Sequence, residues 1–386
     1  MIRSVDPLGG GPIEGIKQIG KINEDRGDIV EVASLDVPCA DFLKDFPFPV
    51  HPLGPALGKY GFSRRYVPWL RENVAKYDIV IINGIWQYCS FGVWRALRRS
   101  PVRYVLLTHG MLDPWFNRAY PLKHLKKLLY WPWGEYRVLR DAAAVLFTCE
   151  EERLLARRSF WLYSANEKVI GFGTASPPED QEGQEREFFD RFPVLRNKRL
   201  LLFMGRIHPK KGCDIALRAF AEILAGDPSW HFVFAGPDQT GWQSSLELLA
   251  EKLQIGTKVT WAGMLRGTLK WGAIRAAEIL FLPSHQENFG VVVAEAMSCS
   301  VPVLISDKVN IWREIQDDGA GLVAPDDQAG ASSLLSSWIN LADTEKFQMR
   351  KCARKSFEKR FDVGQTSAAL HTVLQQFCDA TKIAIP

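Results

Sequence analysis

The sequence predicts an α/β protein with two doubly wound domains, each built on a parallel β-sheet. The first observation is a series of short apolar runs rich in Val, Ile, Leu and Phe, typical of strands buried on both faces. The second is their spacing, because the intervening segments of about 15–30 residues can hold the crossover helices that parallel pairing requires. The third is that the runs form two series, one in each half of the chain, and each series predicts one domain.

Ten runs carry this prediction. In the first half they cover residues 77–83, 103–109, 143–148 and 168–172, and in the second half 199–205, 231–236, 258–263, 278–283, 301–306 and 321–324. Before them, Ile2–Val5 leave room for a short first strand ahead of a glycine-rich turn.

We expect the first domain to span residues 1–173 and the second residues 197–363. Residues 174–196 are acidic, rich in Pro, Gly and Gln, and without apolar periodicity, so we predict an interdomain linker there. A C-terminal helix is predicted over about residues 364–386, and we expect that it can pack back on the first domain. It is predicted from apolar residues at helical spacing, namely Val363, Leu370, Val373, Leu374 and Phe377.

Composition excludes several classes of protein. The chain has 386 residues, of which 47% are apolar and 24% charged, so a dominantly disordered protein is excluded. It holds neither an apolar run of about 18 residues, as a membrane-spanning helix needs, nor an N-terminal signal-peptide core. The seven cysteines are scattered without a CxxC pair, which predicts reduced thiols in a cytoplasmic protein.

The net charge of +4 is unevenly distributed. Residues 59–140 hold 15 Lys or Arg and 4 Asp or Glu, so the rest of the chain is acidic. A basic segment of this size predicts contact with a polyanion. Composition leaves open nucleic acid, an anionic bilayer and a phosphorylated substrate.

The first chemical motif is the loop Gly205–Gly212 (GRIHPKKG), between a predicted strand and a helix predicted over 213–224. Such loops at the carboxyl edge of a parallel sheet bind phosphates. Arg206 offers a planar fork of donors and Lys211 a mobile point charge, a pair that suits a diphosphate. A solvated basic turn is the alternative that spacing alone leaves open.

The second motif is Glu287–Ala296 (ENFGVVVAEA), in which two carboxylates stand eight residues apart. If residues 289–297 are mostly helix, Glu287 lies in the loop before it and Glu295 within its first turns. The free amides of that loop would face an anionic ligand, and a carboxylate suits the vicinal hydroxyls of a ribose. The alternative is a solvated loop acid followed by a capping or surface residue.

Together the two motifs resemble glycosyltransferase family 4, whose members are retaining, nucleotide-sugar-dependent enzymes of the GT-B fold. The family's G-R-x-x-x-x-K-G loop is matched by Gly205–Gly212, and its E-x7-E signature by Glu287–Glu295. Ser300 replaces the usual Gly of the following G-x-P-V. The resemblance is firm over about residues 199–330 and looser in the N-terminal half. It implies two Rossmann-like domains facing a central cleft, which close over the donor.

The resemblance also implies roles for individual residues. Arg206 and Lys211 would neutralise the leaving diphosphate, and Glu295 would hold the ribose. Glu287 would hold the sugar together with the backbone of the next four residues, namely Asn288, Phe289, Gly290 and Val291.

In the N-terminal half the resemblance implies two further features. Gly10 and Gly11, in the glycine-rich loop after the first strand, would let the backbone approach the diphosphate. His109, at the end of a buried strand, would lie near the reacting carbon, although an isolated His at a strand end is often structural. Because no DxD motif stands in a suitable loop, we expect no essential metal ion and no other cofactor.

Several aromatic and polar residues that follow the first-domain strands suit binding of a sugar acceptor. They are Trp86, Tyr88, Asp113, Trp115 and Asn117, of which Trp86, Asp113 and Trp115 are our candidates. The alternative for each is a place in the core, since the chain holds 13 Trp.

Residues 117–140 combine basic side chains with Leu and Trp. We predict a helix with Leu122, Leu125, Leu128 and Leu129 on one face and Lys123, Lys126 and Lys127 elsewhere. This pattern suits a helix lying on an anionic membrane. An ordinary amphipathic helix packed on the core is the alternative.

We predict a retaining, metal-independent hexosyltransferase of bacterial envelope or exopolysaccharide biosynthesis. Its donor is a nucleoside-diphosphate sugar, by base rate UDP-glucose or a similar UDP-hexose, and its acceptor is a hydroxyl of a lipid-linked or oligosaccharide glycan. We expect it in the cytoplasm, in peripheral contact with the inner face of the cell membrane, and without a nucleic-acid partner. Two alternatives stay open: a GT-B sugar-nucleotide epimerase, and a non-catalytic protein that binds polyanions or a membrane surface.

Overall fold

The computed structural model describes residues 1–382, which fold into two compact units. The first unit comprises Met1–Gly173 together with the segment that begins at Val363. The second unit comprises Thr174–Asp362. The chain therefore passes from one unit to the other twice, at residues 173–174 and 362–363.

Parallel strands form the first unit. They are β1 (Val32–Ser34), β2 (Val50–Pro52), β3 (Ile79–Asn83), β4 (Arg103–Leu107), β5 (Ala144–Phe147) and β6 (Glu167–Val169). β1 pairs with β2, and the other four form a sheet in the order β3-β4-β5-β6. The helices are α1 (Gly11–Asp25), α2 (Tyr66–Asn73), α3 (Tyr88–Leu97), α4 (Trp115–Ala119), α5 (Pro121–Tyr130), α6 (Glu135–Arg140) and α7 (Glu150–Ala156).

The extended N-terminal segment joins these two sheets. The backbone N of Met1 donates to the carbonyl of Ile81 in β3 (2.7 Å), and that of Ile2 donates to Ala33 in β1 (3.1 Å). Residues 1–3 therefore take the place at which the sequence predicted a short first strand.

The second unit is one six-stranded parallel sheet flanked by helices. Its strands are β7 (Arg199–Met204), β8 (Trp230–Ala235), β9 (Val259–Gly263), β10 (Ala277–Leu282), β11 (Val303–Ser306) and β12 (Gly321–Ala324). Its helices are α8 (Gln181–Arg191), α9 (Cys213–Ile223), α10 (Gln243–Lys252), α11 (Gly267–Ala276), α12 (Val291–Ser298), α13 (Trp312–Asp317), α14 (Gln328–Asn340) and α15 (Asp343–Ser356). All ten predicted strands of the chain are confirmed.

The strand order of this sheet is β12-β11-β10-β7-β8-β9. The direction in which the chain adds strands therefore reverses between the neighbours β7 and β10. Ligands of doubly wound proteins bind at the carboxyl ends of strands at such a reversal. The order thus selects the loops that follow β7 and β10.

The prediction of a linker over residues 174–196 was wrong for most of that segment. Helix α8 lies inside it, belongs to the second unit and packs along α11. Phe188 is fully buried there, and Arg275 of α11 donates to Gln184 of α8 (2.9 Å). Because α8 is held by one buried aromatic side chain and by polar contacts, its sequence has no apolar periodicity. The hydrophobic pattern therefore did not predict this helix.

The C-terminal helix α16 (Val363–Lys382) returns to the first unit. Leu370 and Val373 are buried against Val105 and Leu107 of β4 and Leu146 of β5. Residues 383–386 of the predicted helix lie outside the described residues. Of the helices within residues 1–382, none has the length and apolarity to cross a membrane.

Candidate active site

Two loops meet at the reversal point of the second sheet. Gly205–Gly212 follows β7, and residues 283–290 follow β10. The backbone N of His285 donates to the carbonyl of Lys210 (2.8 Å), and the Lys211 ammonium forms an ion pair with the Glu287 carboxylate. The structure therefore brings together a cation and a carboxylate that lie 76 positions apart in the sequence.

Gly212 allows the two loops to lie this close. Its backbone has a left-handed φ of +66°, and it caps the start of α9. A Cβ atom at this position would fall on the carbonyl oxygen of Pro283, at the end of the β10 strand. The last position of the basic loop therefore requires glycine for both its conformation and its packing.

The basic loop concentrates positive charge at this point. Arg206 is exposed, and its guanidinium donates to Gln239 (3.4 Å). Lys211 is 9% exposed. Burial and the neighbouring cations Lys210 and Arg206 lower the pKa of the Lys211 ammonium to about 7, whereas the Glu287 carboxylate beside it favours the charged form. An incoming dianion would favour that charged form further.

The loop that carries Glu287 is fixed through its backbone. The backbone N–H of Glu287 donates to the carbonyl of Lys308 (2.9 Å), and the carbonyl of Glu287 accepts from the N–H of Asn310 (3.0 Å). The side chain of Asn310 also donates to Asn288 Oδ1 (3.4 Å). Because these bonds come from the loop after β11, the Glu287 carboxylate stands on a rigid support.

The next predicted donor-binding residues lead into α12. The ring of Phe289 is buried, with its centroid 5.7 Å from that of Phe361, so this side chain packs in the core. Gly290 has a φ of +74° and precedes Val291, the first residue of α12. The helix thus begins two residues later than the sequence predicted.

Glu295, on α12, has a partner that sequence analysis missed. Lys270 Nζ of α11 lies 2.8 Å from Glu295 Oε1. The Glu295 side chain is 11% exposed and that of Lys270 26%. No spacing rule connects these two residues, which come from helices following different strands.

In the first unit, His109 ends the predicted strand with a left-handed φ of +47°. Its Nε2 atom lies 3.0 Å from Asn83 Oδ1, at the end of the neighbouring strand β3. Burial lowers the pKa of His109, and the Glu152 carboxylate opposes this effect. Burial therefore favours the neutral form of the ring.

A buried carboxylate that sequence analysis missed supports the His109 turn. Glu152 is 3% exposed and accepts hydrogen bonds from Thr108 Oγ1 and Gly110 N (2.6 Å each). Its second oxygen accepts two hydrogen bonds from Thr148, after β5. The sequence shows only a run of three glutamates at the start of α7, which suggests an exposed helix terminus.

The glycine-rich segment lies at the start of α1. Gly10 is exposed, has a φ of +74° and directly precedes the helix, whose first residue is Gly11. The structure thus places both at a helix N-terminus after the extended N-terminal segment.

The acceptor candidates follow β3 and β4. Trp86 has a left-handed φ of +68°, its Nε1 donates to the carbonyl of Met111 (3.1 Å), and its ring packs on Phe160. Asp113 is buried and accepts from the backbone N of Trp115 (2.8 Å), so it shapes the turn into α4.

The two other residues noted for this group have structural contacts. Tyr88 is 5% exposed and packs against Tyr66, which places it in the core. Asn117 donates to the carbonyl of Ser159 (3.1 Å).

Beneath Trp86 lies a second carboxylate that the sequence did not indicate. Glu135 is fully buried and accepts from Trp86 N and Ser90 Oγ (2.8 Å each). Its Oε2 atom has no hydrogen-bond partner among residues 1–382. Burial raises the pKa of Glu135 to about 7, against those hydrogen bonds and the charge of Lys127.

Comparison with known structures defines the class of the fold. Sucrose-phosphate synthase from Thermosynechococcus elongatus superposes with a TM-score of 0.77 at 19% identity, covering 96% of this chain and 94% of that one. Anabaena HepE in complex with UDP and glucose superposes with a TM-score of 0.74 at 19% identity, covering 99% of this chain and 98% of that one. The fold is that of the GT-B glycosyltransferases.

Sequence comparison then gives the family. Residues 184–356 match the family described as glycosyl transferases group 1, and residues 20–173 match the glycosyl transferase 4-like domain. A D-inositol 3-phosphate glycosyltransferase from Catenulispora acidiphila is 30% identical over 237 residues, which cover 57% of this chain and 54% of that protein. The chain belongs to glycosyltransferase family 4, and it spans about half the length of the curated relatives it matches.

Proposed function

We propose that the protein transfers a hexose from a nucleoside-diphosphate sugar to a hydroxyl group of an acceptor, with retention at the anomeric carbon. One observation carries the proposal. Arg206, Lys211 and Glu287 lie on the two loops at the reversal point of the second sheet, where doubly wound domains bind nucleotides.

Each of these residues has a chemical task in the proposed reaction. Negative charge builds on the diphosphate as the bond to the anomeric carbon lengthens, and that carbon becomes oxocarbenium-like. Arg206 and Lys211 stabilise the charge on the diphosphate, while Glu287 and the backbone after it accept and donate hydrogen bonds to the sugar. His109 acts at the sugar, and Gly10 and Gly11 approach the diphosphate, as the family resemblance implies.

The same site bears on the identity of the donor and on whether transfer needs a metal ion. UDP-glucose or a similar UDP-hexose is the proposed donor, which the complex of Anabaena HepE with UDP and glucose supports. Because Arg206 and Lys211 can together neutralise a diphosphate, we propose that transfer needs no metal ion. The leaving phosphate itself takes the acceptor proton on the face from which it departs.

Calorimetric titration tests the donor site. UDP, GDP and ADP are each titrated in EDTA into the wild type, into Arg206→Ala and into Arg218→Ala, a matched control exposed on α9. One nucleotide should bind, and loss of the charge-assisted contacts in Arg206→Ala should weaken it about tenfold or more. Arg218→Ala should bind like the wild type.

Two results would contradict the donor-site proposal. One is the absence of binding by all three nucleotides. The other is binding that requires Mg²⁺ and is unaffected by Arg206→Ala. A wild type that converts a UDP-hexose into its epimer, without transfer and without an acceptor, would support the epimerase instead.

The proposed acceptor is a lipid-linked glycan in envelope or exopolysaccharide synthesis, and an exposed surface of α5 supports it. Leu122, Leu125 and Leu129 are 79%, 56% and 71% exposed, and Trp133 just beyond the helix is 69% exposed. Leu128, predicted on the same face, instead packs toward the core, since about 100° per residue turns it away.

Residues near this surface add further exposed apolar side chains and positive charge. Trp161 and Leu162 are 58% and 51% exposed, and the carbonyl of Trp161 accepts from Trp131 Nε1 just after α5 (2.7 Å). Exposed Lys123 and Lys126 flank the leucines. Exposed apolar side chains among lysines suit an anionic bilayer. The apolar side chains can insert at the boundary of the acyl chains, and the anionic headgroups attract the lysines.

Vesicle sedimentation tests this surface. We expect the wild type to bind vesicles of phosphatidylglycerol and phosphatidylcholine but not of phosphatidylcholine alone. Leu122→Ser combined with Leu129→Ser should release the protein, whereas Leu248→Ser, which removes a leucine 72% exposed on α10, should not. Equal binding by all three proteins would refute the membrane surface. Transfer to a polyprenyl-diphosphate-linked sugar and to D-inositol 3-phosphate, compared side by side, tests the acceptor.

A further inference from the structure

The ion pair between Lys270 and Glu295 lies outside the two loops that define the donor site. Lys270 Nζ and Glu295 Oε1 are 2.8 Å apart, and their side chains are 26% and 11% exposed. A carboxylate this buried requires a donor, because desolvation of an unpaired charge is costly. Lys270 supplies that donor from the neighbouring helix.

Lys270 itself is held in place by packing. Its ammonium lies 4.5 Å from the centroid of the Trp271 ring, a cation–π contact. Its helix, α11, is fixed to α8 by Arg275, which donates to Gln184 (2.9 Å) and Gln181 (3.1 Å). The cation therefore projects from an anchored element and not from a flexible loop.

Gly272 brings these two helices together. A Cβ atom there would fall on the carbonyl oxygen of Gln184, so the α8–α11 contact requires a residue without a side chain. The position of Lys270 is thus set by the segment that the sequence predicted as a linker.

We propose that Lys270 is the positioning residue that orients the Glu295 carboxylate toward the ribose hydroxyls of the donor nucleotide. This inference rests on the proposed function, since it assigns a task to one residue of the donor site. Engagement of Oε1 by the ammonium fixes the rotamer of Glu295 and directs Oε2 to the ribose. Residues that fix the orientation of a ligand-binding group commonly control its affinity.

Discrimination between a ribonucleotide and its deoxy analogue isolates this role. UDP and 2′-deoxy-UDP are titrated into the wild type, Lys270→Met, Lys270→Arg and Glu295→Gln. If the titrations of UDP, GDP and ADP show that the protein binds GDP or ADP instead, that nucleotide and its 2′-deoxy analogue are used. Lys252→Met, at an exposed position on α10, is the matched control.

The wild type should prefer UDP over 2′-deoxy-UDP by about tenfold, because the carboxylate gains a charge-assisted hydrogen bond from the 2′-hydroxyl. Both Lys270→Met and Glu295→Gln should lose most of this preference while 2′-deoxy-UDP binds nearly as before. Lys270→Arg should restore it, and Lys252→Met should retain it.

Three results separate failure of this inference from failure of the proposed function. No nucleotide binding by the wild type would refute the donor site itself. Retained preference in Lys270→Met together with its loss in Glu295→Gln would leave the ribose site intact and refute the role of Lys270. Equal weakening of both nucleotides in Lys270→Met would also refute positioning, because it would show that the ammonium acts on the phosphates. Circular dichroism and thermal unfolding of each variant exclude misfolding as the cause.

Discussion

Substitution of Gly212 by alanine tests the reason for which the two donor loops meet. The change adds one methyl group at a residue with a φ of +66°, directly against the carbonyl oxygen of Pro283. We expect it to destabilise the second unit and to separate the basic loop from the Glu287 loop.

Two costs add at this position. A left-handed backbone costs an L-residue about 1–2 kcal/mol. Overpacking a filled site costs about 1–3 kcal/mol more, and the contact here is with backbone that cannot rotate away. The expected loss is therefore about 2–5 kcal/mol, a large share of the roughly 5–15 kcal/mol that stabilise a domain.

Two other glycines of the second unit separate these costs. Gly241 also has a left-handed φ, of +71°, but a Cβ atom there would meet no atom within 4 Å, so Gly241→Ala should cost only about 1–2 kcal/mol. Gly226 lacks both constraints, and Gly226→Ala should be neutral or stabilise by up to about 1 kcal/mol. Urea unfolding, monitored by far-UV circular dichroism, measures the unfolding free energy of the three variants. Calorimetric titration with UDP measures the affinity of the donor site.

The result that would refute this reasoning is a Gly212→Ala variant no less stable than Gly241→Ala. Such a result would mean that the β7 and β10 loops yield freely at this contact. If in addition UDP bound as in the wild type, the close approach of the loops would have no part in forming the donor site.

Three further substitutions test other parts of the structure. Gly272→Ala should destabilise the second unit by about 1–3 kcal/mol in urea unfolding, because its methyl group would meet the backbone of α8. Burial raises the pKa of Glu135 from 4.5 to about 7, so its contribution to stability is complete below pH 4.5 and is lost as the pH rises through about 7. Glu135→Gln, which keeps an acceptor oxygen, should therefore remove up to roughly 3 kcal/mol of the decline in unfolding free energy between about pH 5 and about pH 8. His109→Ala should abolish most hexose transfer in a radiolabelled-donor assay while the affinity for UDP stays near that of the wild type.

Each of these has a control on the same chain. Gly226→Ala should not reproduce the effect of Gly272→Ala, and Glu24→Gln, at an exposed residue of α1, should leave the pH profile of stability unchanged. His371→Ala, on α16, should transfer hexose like the wild type. Unchanged pH dependence in Glu135→Gln, or full transfer by His109→Ala, would count against the role given to that residue.

The predictions from sequence succeeded where the relevant forces are local. Apolar runs of four to seven residues located ten of the twelve strands. Six of the ten (β4, β5, β7, β8, β10 and β11) are buried along all or nearly all of their length, and a strand buried on both faces must be apolar throughout. The two that were missed, β1 and β2, have three residues each, and β2 contains His51 and Pro52. Runs this short cannot be told from loop segments by pattern alone.

The missed residues of the candidate site share one property. Glu152, Glu135 and Lys270 each act through partners distant in sequence: Glu152 bonds to Thr108 across 44 positions, and Lys270 to Glu295 across 25. In the sequence they look like ordinary charged residues of helices. Only the burial that follows from packing makes their partners obligatory.

The sequence by itself determined the two-domain α/β class, the two donor motifs and the resemblance that names their chemistry. It could do so because apolar runs and a loop of fixed spacing are properties of contiguous residues. The tertiary structure decided which groups meet. It placed the motif loops on the adjacent strands β7 and β10, paired Lys211 with Glu287, and folded the predicted linker into a helix that supports Lys270. These outcomes depend on strand order and on close backbone approaches at Gly212 and Gly272, and both arise only when the sheet and its helices pack together.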